Sequence, residues 1–325
     1  MSDKITRITG IGSALVDLLI NETDGFLEAI GKEKGGMTLV EHHDQEEILG
    51  KTAQKPVVVP GGAACNTIVG VARLGGKARF IGKRGTDTSG DQYGEALKRF
   101  NVEPMFENSE TPTGRVLSVI TPDAQRSMLT YLGASVEMEP AGVVPELFSD
   151  TAIAMIEGYL LFNPELMMAA LKSAKAAGAK IALDLASFEV VEASKPILAD
   201  IIREYVDILI ANEDEAKAYT GFDDEPAAIE ALSDNVETAV LKVGKRGSYV
   251  ATNGQVIRID PKLGCDAVDT TGAGDLWAAG FLYGIAHGYS LERSGEIGSA
   301  CGYEVCQVVG AHIPDQGWDR VKQLL

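Results

Sequence analysis

The sequence predicts an α/β protein: a mostly parallel central sheet flanked by helices, with a small β structure set apart from it. Three observations carry this reading. After residue 150, short apolar runs alternate with helical patterns, the mark of parallel strands covered on both faces. Glycine pairs punctuate the joins, as at Gly61-Gly62 and Gly75-Gly76. Between residues 111 and 135, two strand-like runs follow one another with no helical pattern between them.

In chain order, "KITRITGIG" reads as a first strand ending in glycine, and "KPVVVPGG" as a short strand breaking at Gly61-Gly62. "AACNTIVGVARLGG" predicts a helix, with Ile68, Val71, Ala72 and Leu74 near helical spacing and the glycine pair as its stop. "KARFIGKRG" follows as a strand, then "SGDQYGEALKRF" as a helix capped by Ser89. "TPTGRVLSVITPDAQRSMLTYLGAS" predicts a hairpin turning at Pro122-Asp123. The later strands are "TAIAMIEGYLL", "AKIALDLA", "VDILIAN" and "TAVLKVG", with helices between them such as "PELMMAALKSAKAAG". Ligands of such sheets bind at the carboxyl ends of the strands, where Asp184, Asn212, Gly244 and the loop at Gly272 fall.

The bulk numbers exclude several classes. The 325 residues, 45% of them hydrophobic, suffice for one large core. A net charge of -18 argues against a nucleic-acid binder, which needs clustered Lys and Arg. It leaves open a local phosphate site built from backbone N–H groups, Mg2+ and one or two basic side chains. Cysteines 65, 265, 301 and 306 form no CxxC pair, so reduced, mostly buried thiols are expected. "MSDKITRITG" lacks an apolar signal core, and no run of about 18 apolar residues occurs, so a cytoplasmic protein is expected, with no membrane partner.

The informative stretch is "DAVDTTGAGDLWAAGFLYGIAHG", where a polar, glycine-rich loop runs into an apolar helix. The helix is expected to start near Gly274 or Asp275. Its first N–H groups lack intrahelical partners, and glycines let an anion approach them. The macrodipole adds partial positive charge. Asp275, in the first turn, is placed to accept a proton from an attacking hydroxyl. An ordinary helix start with a favourable acidic residue explains the same pattern. Elsewhere, "GIGSALVD" fails as a dinucleotide fingerprint because Leu15 stands where the third glycine belongs. "GVARLGGKAR" fails as a Walker A sequence at Ala78, and the protein-kinase motifs are absent.

The full "DTTGAGD", with "GGAACNTIVGVARLGG" before it and "ANEDEA" between them, resembles the signature set of the PfkB, or ribokinase-like, carbohydrate and nucleoside kinases. The resemblance spans nearly the whole chain. It implies one ribokinase-like domain over residues 1–325, with a β lid made from parts of 13–45 and 108–134. It implies ATP and Mg2+ as cofactors and a small-molecule acceptor as substrate. Asp275 would be the catalytic base, and the backbone of Gly272, Ala273 and Gly274 the anion hole. Asn212 and Glu215 would orient Mg2+ through water; a helix N-cap with its capping partner explains them equally. Asp17, Gly61, Gly62 and Asn66 would bind the acceptor, with Glu157 a further candidate or a partner of Arg115. Thr270, Lys242, Gly244 and Gly247 would line the nucleotide, although "KVGKRG" also suits a tight turn. A monovalent cation, K+ as the candidate, would match Asp269 and Thr271.

Where ribokinase-like members often carry Lys after the glycine pair, this chain has Ala63, which weakens a strict ribose assignment. "GIGSALVD", "GMTLV" and "TYLGAS" resemble a bacterial adenosine-kinase-like branch. Tyr131, Tyr159, Phe162 and Phe188 could give aromatic faces to a base or simply pack in the core. Arg115 and Arg126, in the hairpin, are candidates to reach phosphate or substrate on closure. His312 follows "VVGA", in a region that borders the nucleotide base in relatives; a solvent or capping role explains it as well. The expected function is therefore ATP-dependent phosphorylation of a hydroxymethyl group on a nucleoside or ribose-like sugar. A free pentose or hexose is the alternative acceptor, and a non-catalytic nucleotide- or sugar-binding regulator the alternative of another class. A pure binder has no need of Asp275. The resemblance admits a monomer or a lid-mediated homodimer.

Overall fold

The structure is a computed structural model and describes residues 5–123, 125–262, 264 and 266–325; Cys265 lies outside them. In chain order the strands are β1 (Arg7–Ile11), β2 (Leu15–Asn21), β3 (Met37–Leu39), β4 (Val57–Gly61), β5 (Ala78–Gly85), β6 (Val102–Ser109) and β7 (Gly114–Ile120). Then come β8 (Arg126–Tyr131), β9 (Thr151–Glu157), β10 (Lys180–Asp184), β11 (Ile208–Asn212), β12 (Thr238–Lys242), β13 (Ser248–Thr252) and β14 (Gln255–Ile259). The helices are α1 (Asp24–Ala29), α2 (His42–Lys51), α3 (Ala63–Arg73), α4 (Thr88–Arg99), α5 (Pro164–Ala176) and α6 (Phe188–Tyr205). They continue as α7 (Glu213–Thr220), α8 (Glu225–Ser233), α9 (Ala273–His287), α10 (Leu291–Val305) and α11 (Asp315–Lys322).

A nine-stranded sheet has the order β14-β13-β12-β11-β10-β9-β1-β5-β6. Every pair from β6 to β12 is parallel; β13 and β14 close the far edge as antiparallel strands. The strands are apolar because helices cover both faces. One buried cluster includes Ile8, Ile68, Phe80 and Phe281; the other includes Ile156, Leu183, Leu209 and Leu241. α9 packs against α3 and α10. That explains its nearly uniform apolarity: Ala278, Ala279, Phe281 and Leu282 are all fully buried.

A second, five-stranded sheet has the order β3-β8-β7-β2-β4. Four of its strands fall within the two spans expected for a separate β structure, and β4 joins them as a fifth. The hairpin is confirmed, with β7 and β8 antiparallel and Thr121 N–H closing the turn on Gln125 O at 2.9 Å. β2 alternates strictly: Val16, Leu18 and Ile20 are buried, while Leu15, Asp17 and Leu19 on the other face are half-buried. α2 sits beneath the sheet, where the fully buried Gln45 donates to Arg115 O at 2.9 Å and Leu129 O at 2.7 Å.

Two expected boundaries are corrected. Asp87, not Ser89, caps α4, accepting from Gly90 N–H at 2.8 Å. Asp87 also receives the Thr113 N–H at 3.0 Å and hydroxyl at 2.5 Å, so its side chain is fixed in the capping position from two sides. The run "TAIAMIEGYLL" is a strand only as far as Glu157; Gly158–Phe162 turns as a 3-10 helix. Among the described residues, no helix is long and apolar enough to cross a membrane.

Candidate active site

Four adjacent parallel strands have apolar interiors and a polar last residue: Glu157 on β9, Asp184 on β10, Asn212 on β11 and Lys242 on β12. Register aligns these ends, pairing Glu157 with Asp184 and Asn212 with Lys242. The carboxyl edge of the sheet is thus a row of functional groups above a dry core, beside the point where strand order reverses.

Lys242 Nζ lies 3.0 Å from Asp184 Oδ2, with the two side chains 12% and 11% exposed. Burial draws the ammonium's pKa down, but Asp184 and Glu215 outweigh it and the net shift is upward. Glu215, 2% exposed, is pushed up to about 7 by burial and by Asp184. It forms a capping box with Asn212: Asn212 N–H donates to Glu215 Oε2 at 2.8 Å, and Glu215 N–H to Asn212 Oδ1 at 2.9 Å. The capping explanation of this pair therefore holds in the structure. Lys242 feels the charges of Asp184, Glu215 and Asp275, and the Asp184 charge in turn raises the pKa of Glu215 and of Asp275. Among the described residues, no group of three or more Asp, Glu, His or Cys side chains is placed to hold a metal ion by itself; an ion such as Mg2+ that keeps its waters takes few protein ligands.

α9 begins at Ala273, one residue before the expected start, with Gly272 as its N-cap at φ 73°. A side chain would be strained in that conformation. Leu276 N–H closes the first helical bond, on Gly272 O at 2.8 Å, and Ala273 N–H turns back onto Thr270 O at 3.1 Å. By position, the Gly274 and Asp275 N–H groups precede the helical ladder. An ideal Cβ on Gly274 would lie 3.0 Å from Lys242 Nζ, which fixes how close the helix start comes to the cluster. Thr270 is exposed beside it.

Asp275, half-buried, is pushed up to about 7 by burial, with Asp184 and Glu157 adding to the shift. Asn66 Nδ2, on α3, donates to Asp275 Oδ2 at 2.9 Å, and the Thr67 hydroxyl donates to Asp275 O at 3.1 Å. Asn66 Oδ1 is buried without a partner, an acceptor held at the site. Asp17 stands mid-strand in β2, not at a strand end, and burial pushes it up to about 7. Gly61 faces it: a Cβ there would come within 2.6 Å of the Asp17 carboxyl. Gly62 caps α3 at φ 95°.

Glu157, 2% exposed, accepts the N–H of Ser13 at 3.4 Å and of Ala64 at 3.0 Å. It braces the loop after β1 and the start of α3. The alternative pairing with Arg115 is not formed; Arg115 binds Glu46 at 2.6 Å. Gly244 and Gly247 shape the turn between β12 and β13, where Gly247 N–H donates to Gly244 O at 3.0 Å. The imidazole of His312 stacks on Phe100 with ring centroids 5.7 Å apart, and its Nε2 lies 3.1 Å from Pro60 O. Tyr159, Phe162 and Phe188 are 39%, 62% and 49% exposed, so core packing does not account for them. Burial raises the Tyr159 hydroxyl to about 12; Glu157 and Asp275 contribute, which places the ring beside the site.

Asp269, ahead of the glycine loop, is fully engaged. Oδ1 receives the Thr271 N–H at 2.9 Å and hydroxyl at 2.8 Å, and Oδ2 receives Gly310 N–H and Arg126 Nη2, each at 2.8 Å. Burial alone would raise this carboxyl; these donors and the Arg126 charge outweigh it and hold it below the usual range. A carboxylate offers about four lone-pair directions. A monovalent cation at Asp269 and Thr271 does not fit this arrangement. Sequence reading missed the Arg126–Asp269 contact and the place of Asp184 beside Lys242.

Comparison with known proteins shows the family to which the chain is similar. The pattern of the family described as pfkB family carbohydrate kinase matches residues 33–316. A nucleoside kinase of Methanocaldococcus jannaschii is 28% identical over 276 residues, covering 82% of this chain and 85% of that protein. The structure of a probable sugar kinase from Rhizobium etli CFN 42 has a TM-score of 0.88 at 30% identity, covering 98% of this chain and 99% of that one. That of adenosine kinase from Sinorhizobium meliloti has a TM-score of 0.87 at 32% identity, with the same coverage.

Proposed function

The chain belongs to the pfkB family of carbohydrate kinases, and from that premise we propose that it transfers the γ-phosphate of ATP to a hydroxymethyl group of a nucleoside. Kinases of this family act on a sugar or nucleoside hydroxyl and use ATP with a divalent metal, typically Mg2+. The observation that carries the finer reading is Asp275: a half-buried carboxylate raised toward neutrality, oriented by Asn66, in the first turn of α9 and behind its glycine N-cap.

Mg-ATP supplies the phosphoryl group and the metal charge that offsets its oxygens. Asn212 and Glu215, held by their capping box, would meet the metal through its waters, and Asp184, which keeps Lys242 charged, would aim it at the phosphates. Thr270 and the turn at Gly244 and Gly247 border the nucleotide. Asp17 and the Asn66 acceptor bind acceptor hydroxyls, with the Gly61 and Gly62 backbone close against them. Asp275 takes the proton of the attacking hydroxyl. The amides at Gly272, Ala273 and Gly274, Ala273 once freed from Thr270, offset charge developing on the transferred group. The small sheet acts as a lid of one kinase domain and excludes water as a competing acceptor. Exposed Tyr159 and Phe162, just past β9, supply an aromatic face for a base and favour a nucleoside over a free sugar.

The test is ADP release from Mg-ATP with adenosine, other nucleosides, ribose, fructose and glucose, for the wild type and Asp275→Asn. Turnover with a nucleoside that the variant loses supports the proposal. Turnover only with free sugars overturns the nucleoside assignment, and an active variant overturns the role of Asp275. Stabilisation by ligands without turnover would favour a binding protein.

A further inference from the structure

We propose that Arg126 is the built-in counter-cation of the anion-hole loop: its guanidinium occupies, at Asp269, the place a free monovalent cation would take. The inference rests on the reading of residues 270–275 as the anion hole.

Three observations support it. Arg126 Nη2 meets Asp269 Oδ2 at 2.8 Å, with the side chains 9% and 14% exposed, so the pair is shielded from solvent. The other contacts of Asp269 come from Thr271 and Gly310, which tie two core loops to one carboxylate. Those three are neutral donors, so Arg126 is the only full positive charge among the four. Without it the carboxylate would carry an uncompensated charge directly ahead of amides meant to receive an anion.

Arg126 stands on β8 of the small sheet, whereas Asp269 belongs to the core. The charge that steadies the loop is therefore carried by the second sheet. Its field also reaches Asp17 on β2, whose carboxyl it stabilises in the charged form. Arg126 is a positioning residue: it acts on the reaction through Asp269 and the loop that follows. Two consequences follow. Turnover does not require K+, and removing the guanidinium creates a site that K+ can enter.

The experiment compares wild type, Arg126→Met and Arg126→Lys in K+, Na+ and tetramethylammonium buffers of equal ionic strength. Wild-type kcat should agree within about twofold across the three ions, and Arg126→Met should lose about 10- to 100-fold in kcat. K+ should restore part of that loss where tetramethylammonium does not, and Arg126→Lys should stay independent of K+. Melting temperature gives a readout free of turnover: K+ over tetramethylammonium should stabilise Arg126→Met and leave the wild type unchanged. Strong activation of the wild type by K+ would overturn the proposal, even if Arg126→Met failed to fold. So would a folded Arg126→Met that keeps full kcat, or one that K+ neither rescues nor stabilises. If no acceptor is phosphorylated, the functional reading fails, while the melting data still decide the role of Arg126.

Discussion

Asn66 and Asp275, 209 residues apart in the chain, meet at 2.9 Å with the amide donating to the carboxylate. The contact joins the starts of α3 and α9, and it aims the remaining Asp275 oxygen. Burial alone would keep Asp275 protonated at neutral pH; Asn66 and Lys242 offset part of that effect and leave the group near 7.

Asp275→Asn should therefore separate catalysis from stability. Loss of a general base lowers kcat by about 10^2- to 10^4-fold. The amide oxygen of the substituted side chain still accepts from Asn66, so the local geometry survives. The folded carboxyl titrates near 7 and the unfolded one near 3.8. Between those values the folded state holds a proton that the unfolded state has released, so stability falls as pH rises through the window. The variant lacks this penalty. It should melt about 2 °C or more above wild type at pH 8, and the gap should close toward pH 4. Thermal scans across pH check the sign.

The same carboxyl sets the pH profile. A base must be unprotonated to work, so kcat/KM should rise with pH through about 7 and level off above it. Asp17 and Glu215 are raised into the same window, so the acidic limb should be steeper than one proton. An acidic limb with its midpoint near pH 4 would contradict the buried setting of these groups.

Lys242 should matter for stability as much as for phosphate binding. It lies between Asp184 and the helix start bearing Asp275. Lys242→Met leaves the shielded Asp184 carboxyl without its counter-ion, a change that costs about 3–5 kcal/mol in comparable sites. Urea unfolding should show the loss, and adding Asp184→Asn should recover a large part of it. Additive losses in the double variant would mean the pair is not coupled.

Much of this site was legible in the sequence because its residues end strands or start helices, where a change from apolar to polar stands out. Asp184, Asn212 and Lys242 follow apolar runs directly, and the glycine loop before Asp275 announces itself. Residues 22–56 were not legible. α2 buries only Gln45 and Ile48, so it shows no helical stripe, and β3 is three residues long with all three exposed. The cap of α4 was misplaced because Asp87 and Ser89 are both good caps, and the deciding partner, Thr113, is 26 residues away. The Arg126–Asp269 pair spans 143 residues and depends on how the two sheets meet, which no local pattern encodes.

Gly61→Ala tests the acceptor site without touching the base. Gly61 pairs with Leu15 in the β2–β4 ladder, and an added Cβ would fall 2.6 Å from Cγ, Oδ1 and Oδ2 of Asp17. The obstacle is the end of a side chain, so Asp17 can rotate away while the backbone stays in place. Alanine suits a strand at least as well as glycine, so stability should change by less than about 1 kcal/mol. What is lost is the position of the carboxylate that, on the proposed reading, would receive the acceptor's hydroxyls. The KM for the acceptor should rise about tenfold or more, while the KM for ATP stays unchanged and kcat falls less than KM rises. Asp17→Asn should mimic this pattern, and combining the two should cost little beyond either alone, since both act through one side chain. Additive losses would place Gly61 in a separate contact with the acceptor and remove the Asp17 explanation for it.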